Sequence, residues 1–366
     1  MRILIEEYQY DYEDVRDVLK GFGVLPNGDG KLSLSYVGYY FNDDPDVNDC
    51  VFLLPKVLLE GPFGEEKVFG HIEPKNLINI DECDELSSEE HTFIYNLSVW
   101  IYRAICVFRE HEFDRFENKA QSSIVLYKQA PIMGHMKKRR VCTYLDVLLA
   151  LQEWNRKNES FVMFTVKNLH SGFNKINWTR TISRSHVIIQ DCSDGTRRQD
   201  ASYLNPVNKK RKINFDEELL IIYYSILEYM REKYGFPVKM NVNFPLIKGK
   251  KFLRYINGFG KRRKYFSDKA LELWNYCYAF FERPEDIMLN VDRKEYLLVK
   301  SFHVVFESII DDLIAGDQKL PKELKDQPDG KRVDHIYQYQ ELTNNDKEGD
   351  IYYIGDSKYY KRGNTL

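Results

Sequence analysis

Two stretches close to the C-terminal end decide how the last part of this chain folds: KRVDHIYQY at 331–339 and DIYYIGDSKYYK at 350–361. In both, tyrosine and isoleucine alternate with other residues, the period-two pattern typical of β-strands. The first stretch carries Asp334, and the second carries Asp356 and Lys358. The run before Asp356 is apolar enough to predict a buried, central strand.

A helix is expected immediately upstream of these strands. An apolar stripe runs through SFHVVFESIIDDLI, and the pattern predicts a helix over roughly 294–315 that contains Glu307. The sequence therefore predicts an acid on a helix, an acid on a strand, and an acid-x-lysine on the next strand.

This layout suits phosphodiester hydrolysis, which needs a hard cation and a positioned water. Asp334 and Asp356 would bind Mg²⁺, with Mn²⁺ as a substitute, and Glu307 would join them from the helix. Side chains alternate along a strand, so Asp356 and Lys358 would point the same way. Lys358 could then steady the nucleophile and the charge of the transition state.

The same residues also allow interpretations without a catalytic role. Asp356-Ser357-Lys358 could be an ordinary exposed ion pair, because an isolated acid-x-lysine has little specificity. Asp329 competes with Asp334 as a ligand, but Pro328-Asp329-Gly330 is typical of a turn. Asp334, which we expect within a strand, is the preferred ligand.

The rest of the chain predicts a mixed α+β protein of three domains. Residues 1–85 form strand-like runs and turns, which indicate a small acidic β-rich module. Residues 86–290 are predicted to be mainly helical, with Ser87 or Ser88 capping the first long helix. Residues 291–366 would form an α/β nuclease core, incomplete at its C-terminal end because little chain follows Lys358.

Charge is divided unevenly along the chain. The net charge is −3, but residues 1–100 carry 7 Lys and Arg against 21 Asp and Glu. The remainder is basic. This division suits a chain whose N-terminal part contacts a protein partner and whose remaining part contacts DNA. The six cysteines show no C-x-x-C spacing, and no stretch approaches a membrane span, so we expect a cytoplasmic protein.

Short basic runs predict nucleic-acid contacts upstream of the acids. The run at 261–264 lies among Phe and Tyr residues, an arrangement typical of nucleic-acid surfaces. A solvated loop explains any single run equally well. The residues expected to contact DNA phosphates are Lys261, Arg262, Arg263, Lys264, Lys209, Lys210 and Arg211.

Over half of the chain resembles a known class of nucleases. FDEELLIIYYSILEYM, DGKRVDHIYQY and YYIGDSKYYKRGN are similar to segments of the LlaJI-type restriction endonucleases and, more distantly, of the McrC component of modification-dependent restriction systems. The resemblance implies a C-terminal PD-(D/E)xK fold, with Asp334 as the first acid and Asp356 and Lys358 as the acid-x-lysine. Val333 stands where the family has proline.

The resemblance also implies a setting. McrC-like nucleases work with an AAA+ GTPase or ATPase motor (McrB-like), and this chain has no G-x-x-x-x-G-K-[ST] phosphate loop of its own. We therefore expect a Mg²⁺-dependent endonuclease subunit of a bacterial restriction or anti-phage system that acts on double-stranded DNA. The alternative is a non-catalytic adaptor that binds DNA and a motor through a degenerate nuclease fold.

Overall fold

The structure is a computed structural model, and it describes most of the 366 residues. The described ranges are 1–19, 30–42, 49–115, 125–128, 143–158, 164–169, 175–191, 199–213, 216–238, 246–247, 265, 267–287, 295–315, 333–338 and 352–361. Within them, no helix combines the length and the apolar character needed to cross a membrane.

Helices and strands are mixed along the chain, which confirms the predicted α+β character in its general form. The α-helices are α1 (Tyr12–Leu19), α2 (Ser88–Arg115), α3 (Tyr144–Asn158), α4 (Trp178–Arg184), α5 (Glu217–Tyr234), α6 (Asp268–Ile287) and α7 (His303–Ala315). Two 3-10 helices span Lys56–Leu58 and Pro74–Glu82.

The strands are mostly short. They are β1 (Arg2–Ile5), β2 (Gln9–Asp11), β3 (Lys31–Ser33), β4 (Tyr36–Asn42), β5 (Asp49–Leu54), β6 (Leu59–Glu60), β7 (Lys67–Val68), β8 (Val125–Lys128), β9 (Phe164–Leu169), β10 (Val187–Asp191), β11 (Gln199–Tyr203), β12 (Asn208–Ile213), β13 (Glu295–Lys300), β14 (His335–Gln338) and β15 (Tyr352–Gly355).

The first of two compact units comprises residues 1–147, 228–239 and 279–366. Its centre is a five-stranded sheet in the order β1-β5-β4-β13-β8. The β1–β5 pair is parallel and the other pairs are antiparallel. The predicted segments 1–85 and 291–366 therefore contribute strands to one sheet.

Both faces of this sheet are covered, which explains why β4 and β5 are apolar at almost every position. Tyr40 belongs to the cluster that includes Val15 and Val18 of α1, and its hydroxyl donates to the Val18 carbonyl. The adjacent Tyr39 packs edge-on against Tyr102 of α2, with ring centroids 5.7 Å apart. Successive side chains of one strand thus pack against different helices.

The helix predicted over 294–315 is wrong in its first third, where β13 forms instead. Leu297, Leu298 and Val299 are buried between β4 and β8. A short apolar run fits a buried strand and a buried helix equally well, so periodicity alone could not separate them. Ser301, with a φ of 70°, lies between the strand and α7.

The second unit comprises residues 148–227 and 240–278. Its core includes Trp154 and Tyr223, whose rings meet edge to face at 5.1 Å, and the Tyr223 hydroxyl donates to the Leu151 carbonyl at 2.5 Å. Two antiparallel strand pairs, β9–β12 and β10–β11, complete the described part of this unit.

Candidate functional site

The acids predicted to bind metal lie at one end of the β14–β15 pair in the first unit. His335 pairs with Gly355, and Ile336 pairs with Ile354, in antiparallel register. Continuing that register by one residue places Asp334 opposite Asp356. Directly opposed residues of an antiparallel pair have Cβ atoms about 4.5–5.5 Å apart, so the backbone brings the two carboxyl groups together.

A hydrogen bond across the strand ends supports this approach of the two acids. Asp334 Oδ2 accepts from the backbone N–H of Ser357, the residue after Asp356, at 3.3 Å. Like charges directly opposite each other are unfavourable in a sheet, so two ionised carboxylates here favour a cation beside them.

Lys358 supplies one positive charge to this pair. Its Nζ lies 2.5 Å from Asp356 Oδ2, and both side chains are more than half exposed. The hydrogen bond from Lys358 is the largest influence on Asp356, and it lowers the pKa of this carboxyl group. The Asp356 carboxylate in turn raises the pKa of Lys358.

The strands that carry the acids differ from the prediction in two respects. Asp334 lies one residue before β14 rather than within it. The strand before Asp356 is exposed rather than central: Ile354 is 72% exposed, and within the described residues β15 pairs only with β14. The hydrophobic pattern of β15 was sufficient to predict a strand but not its burial, which depends on what covers it.

Glu307 lies on α7, as predicted, and is partly buried. Among the described contacts none joins it to Asp334 or Asp356. The described residues contain no group of three or more His, Cys, Asp or Glu side chains arranged to hold a metal ion. Of the three predicted metal ligands, the described residues therefore bring together two, Asp334 and Asp356.

A buried histidine, which the sequence analysis missed, connects α7 to this site. His335 is 3% exposed, and its Nδ1 lies 2.7 Å from Asp311 Oδ1. Asp311 is one helical turn beyond Glu307, on the same face of α7. Two features of the sequence could have indicated this contact: the four-residue spacing of Glu307 and Asp311, and the position of His335 beside Asp334.

The segment after β15 is anchored to the first strands of the chain. Residues 356–361 alternate between exposed and partly buried positions, with Ser357, Tyr359 and Lys361 facing inward. The Tyr359 hydroxyl donates to Glu6. Because the inward residues are held, Asp356 and Lys358 are presented on the opposite side of the segment.

Aromatic and ionic contacts complete this anchor. The Tyr359 ring lies 5.8 Å from that of Phe302 and 5.5 Å from that of Phe306, between centroids. Lys361 Nζ lies 3.0 Å from Glu66 Oε1. The acidic N-terminal segment thus binds the end that carries Asp356 and Lys358.

The basic residues predicted to contact DNA are described only in part. Lys209, Lys210 and Arg211 lie on β12, paired with β9, and the Lys209 side chain is exposed. A strand therefore carries this basic run. Lys261, Arg262, Arg263 and Lys264 lie outside the described residues.

Comparison with family models, with curated proteins and with solved structures finds no match to this chain.

Proposed function

We propose that this chain is a divalent-metal-dependent DNA endonuclease. The observation that carries the proposal is the meeting of Asp334, Asp356 and Lys358 at the end of the β14–β15 pair. Two acids and a lysine beside the ends of two paired strands form one accessible cluster, which a substrate as large as DNA can reach.

The donor set fits Mg²⁺. This ion is commonly held by one or two carboxylates and keeps several waters, and Asp334 and Asp356 supply that number. Mg²⁺ at this position would polarise the phosphate and make water a better nucleophile near neutral pH. Mn²⁺ would serve as a substitute, because it also prefers oxygen ligands.

The roles of the side chains follow from their contacts. Asp334 and Asp356 would hold the cation. Lys358, whose ammonium lies beside Asp356, stabilises negative charge that develops on the phosphate. The Asp311–His335 contact holds α7 against β14, and Glu307 on α7 is a further candidate ligand.

The biological setting belongs to the same proposal. The resemblance to LlaJI-type and McrC-like nucleases supports a cytoplasmic role in bacterial restriction or anti-phage defence, with double-stranded DNA as substrate. It also supports a PD-(D/E)xK fold for residues 291–366 and an AAA+ partner that supplies nucleotide-driven motion.

The test is cleavage of duplex DNA by the full chain with Mg²⁺. Asp356→Ala and Lys358→Ala should each reduce the cleavage rate at least about a hundredfold, while DNA binding persists. Asp312→Ala is the matched control, since Asp312 is an exposed acid on α7, and should cleave at the wild-type rate. Full activity of the Asp356 variant would refute the assignment, and preferential cleavage of RNA would change the substrate class.

A second candidate is a non-catalytic adaptor that binds DNA and a motor. The observation that favours it is the lack, within the described ranges, of a third acid or histidine completing a metal group. Wild-type protein that binds DNA but does not cleave it with Mg²⁺ or Mn²⁺, with or without a motor, would support this adaptor.

A further inference from the structure

A cavity of about 410 Å³ lies beside the segment that carries Asp356 and Lys358. Its charged lining comes from Glu7, Lys56, Glu66 and Lys361. Lys56 Nζ is 2.7 Å from Glu7 Oε1, and Lys361 Nζ is 3.0 Å from Glu66 Oε1. Each ammonium therefore faces a carboxylate, and these four groups sum to no net charge.

A balanced lining of this kind selects against an isolated anion. A phosphate would have to compete with Glu7 and Glu66 for the same two ammonium groups. A neutral occupant with both donors and acceptors, by contrast, can hydrogen-bond to a carboxylate edge and to an ammonium without displacing either partner. The volume lies in the range of roughly 300–1,000 Å³ that is usual for small-molecule sites.

Two aromatic rings give the cavity its apolar surface. Phe63 is 75% exposed and Tyr360 is 52% exposed, and both line the cavity. The Lys361 ammonium lies 5.8 Å from the Phe63 ring centroid. Exposed aromatic faces next to lysines stack with planar heteroaromatic rings, as in proteins that bind single-stranded nucleic acid.

The cavity adjoins the segment that carries the proposed catalytic cluster, since Tyr360 and Lys361 line it. Asp356, Lys358 and Tyr360 are the exposed residues of the segment, alternating with Ser357 and Tyr359. Four residues of extended chain span about 13 Å, so Tyr360 lies within that distance of Asp356. A strand whose backbone contacts Lys358 has a neighbouring base within reach of Tyr360.

We propose that this cavity binds an unpaired base of the nucleic-acid strand whose phosphodiester backbone lies at Asp356 and Lys358. The inference rests on the proposed function and adds a base-binding subsite to it. Stacking on Phe63 and Tyr360 holds the base, and the paired charges contact its edge. This subsite requires that a substrate duplex open locally, or that it contain a single-stranded segment.

The experiment measures binding of the full chain to a fluorescently labelled decathymidylate in EDTA, where cleavage is suppressed. The double variant Phe63→Ala/Tyr360→Ala should weaken binding about tenfold or more. Trp100→Ala is the matched control, because Trp100 on α2 is 49% exposed and lies away from the cavity lining; its affinity should be unchanged. If the double variant does not fold, Phe63→Leu, which keeps an apolar side chain, should still weaken binding measurably.

Two further probes identify what the cavity recognises. A ten-unit abasic backbone should bind the wild type weakly and the double variant equally weakly. Equal losses for the abasic and normal strands would overturn the inference, as would unchanged binding of the decathymidylate. Thymidine monophosphate that binds as tightly as the decathymidylate would also overturn it, since the site would then take free nucleotides.

The outcome separates this inference from the proposed function. Wild-type cleavage with unchanged oligonucleotide binding by the double variant would refute the base subsite alone. Base-dependent binding without cleavage in Mg²⁺ or Mn²⁺ would refute the nuclease assignment and leave a strand-binding site.

Discussion

Gly38 on β4 lies so close to the backbone of β13 that it leaves no room for a side chain. Its φ is 144°, and a Cβ at this position would lie 2.2 Å from the Leu297 carbonyl oxygen of β13. Pairing of Gly38 with Leu298 joins the N-terminal strands to β13. This single position therefore allows two distant parts of the chain to share a sheet.

Gly38→Ala should destabilise the protein by about 3 kcal/mol, because it adds backbone strain and a steric clash with Leu297. Denaturant unfolding monitored by circular dichroism measures this change. Gly30→Ala is the control, since a Cβ at Gly30 meets nothing within 4 Å, and it should stay within about 1 kcal/mol of the wild type. Equal unfolding midpoints for both variants would contradict the described β4–β13 contact.

The segment 356–361 behaves as an extended element held by side chains rather than by a sheet. Glu66 is one of its anchors, with a side chain 5% exposed and paired with Lys361. Burial alone raises the pKa of Glu66, but hydrogen bonds from Lys361 and from the Gly64 N–H outweigh it and lower the pKa below its ordinary value of 4.5. Binding of this element therefore depends on an ionised carboxylate.

Glu66→Gln should destabilise the protein by about 2 kcal/mol at pH 7. A depressed carboxyl pKa contributes stability above the ordinary value, and this contribution is lost as pH falls through the lower folded-state value. The difference between wild type and variant should therefore shrink from pH 7 to pH 3, as measured by urea unfolding at both pH values. Glu65→Gln, at an exposed neighbour, should show no such dependence; a Glu66 effect that is constant with pH would refute the ion pair.

Sequence patterns predicted the start of α2 because helix-capping signals are local. Ser87 was one of two predicted caps for α2, and its Oγ accepts a hydrogen bond from the Glu90 N–H while Glu90 accepts from the Ser87 N–H. This reciprocal arrangement is a capping box. β13 was mistaken for helix because its apolar run has no distinguishing period.

The candidate site was predictable to the extent that it depends on strand pairing. Asp334 and Asp356 meet because two predicted strands pair in one register. The Asp311–His335 contact requires the packing of α7 on β14, and the Tyr359–Glu6 contact joins residues 353 positions apart. Neither contact leaves a local pattern in the sequence.

The first compact unit is assembled from three separate stretches of chain. β13, from residues 295–300, lies between β4 and β8 in its sheet. The sheet is therefore incomplete without a strand encoded far downstream of its neighbours. Cutting the chain by sequence position would expose the buried edges of β4 and β8.

A fragment of residues 1–147 should consequently fail to fold cooperatively. It retains β1, β5, β4 and β8 but lacks the strand that joins the last two, and loss of that apolar strand removes core packing as well as sheet hydrogen bonds. Differential scanning calorimetry of the fragment beside the full chain measures this. A sharp, reversible transition of the fragment would show that β13 is dispensable.

The Tyr359–Glu6 contact has a consequence for the timing of biosynthesis. Glu6 is translated early, and its hydrogen-bond partner Tyr359 is translated 353 residues later. Contacts of such long range form slowly, since the intervening loop must close first. The segment that carries Asp356 and Lys358 can therefore be held against the first strands only after synthesis has passed Tyr359.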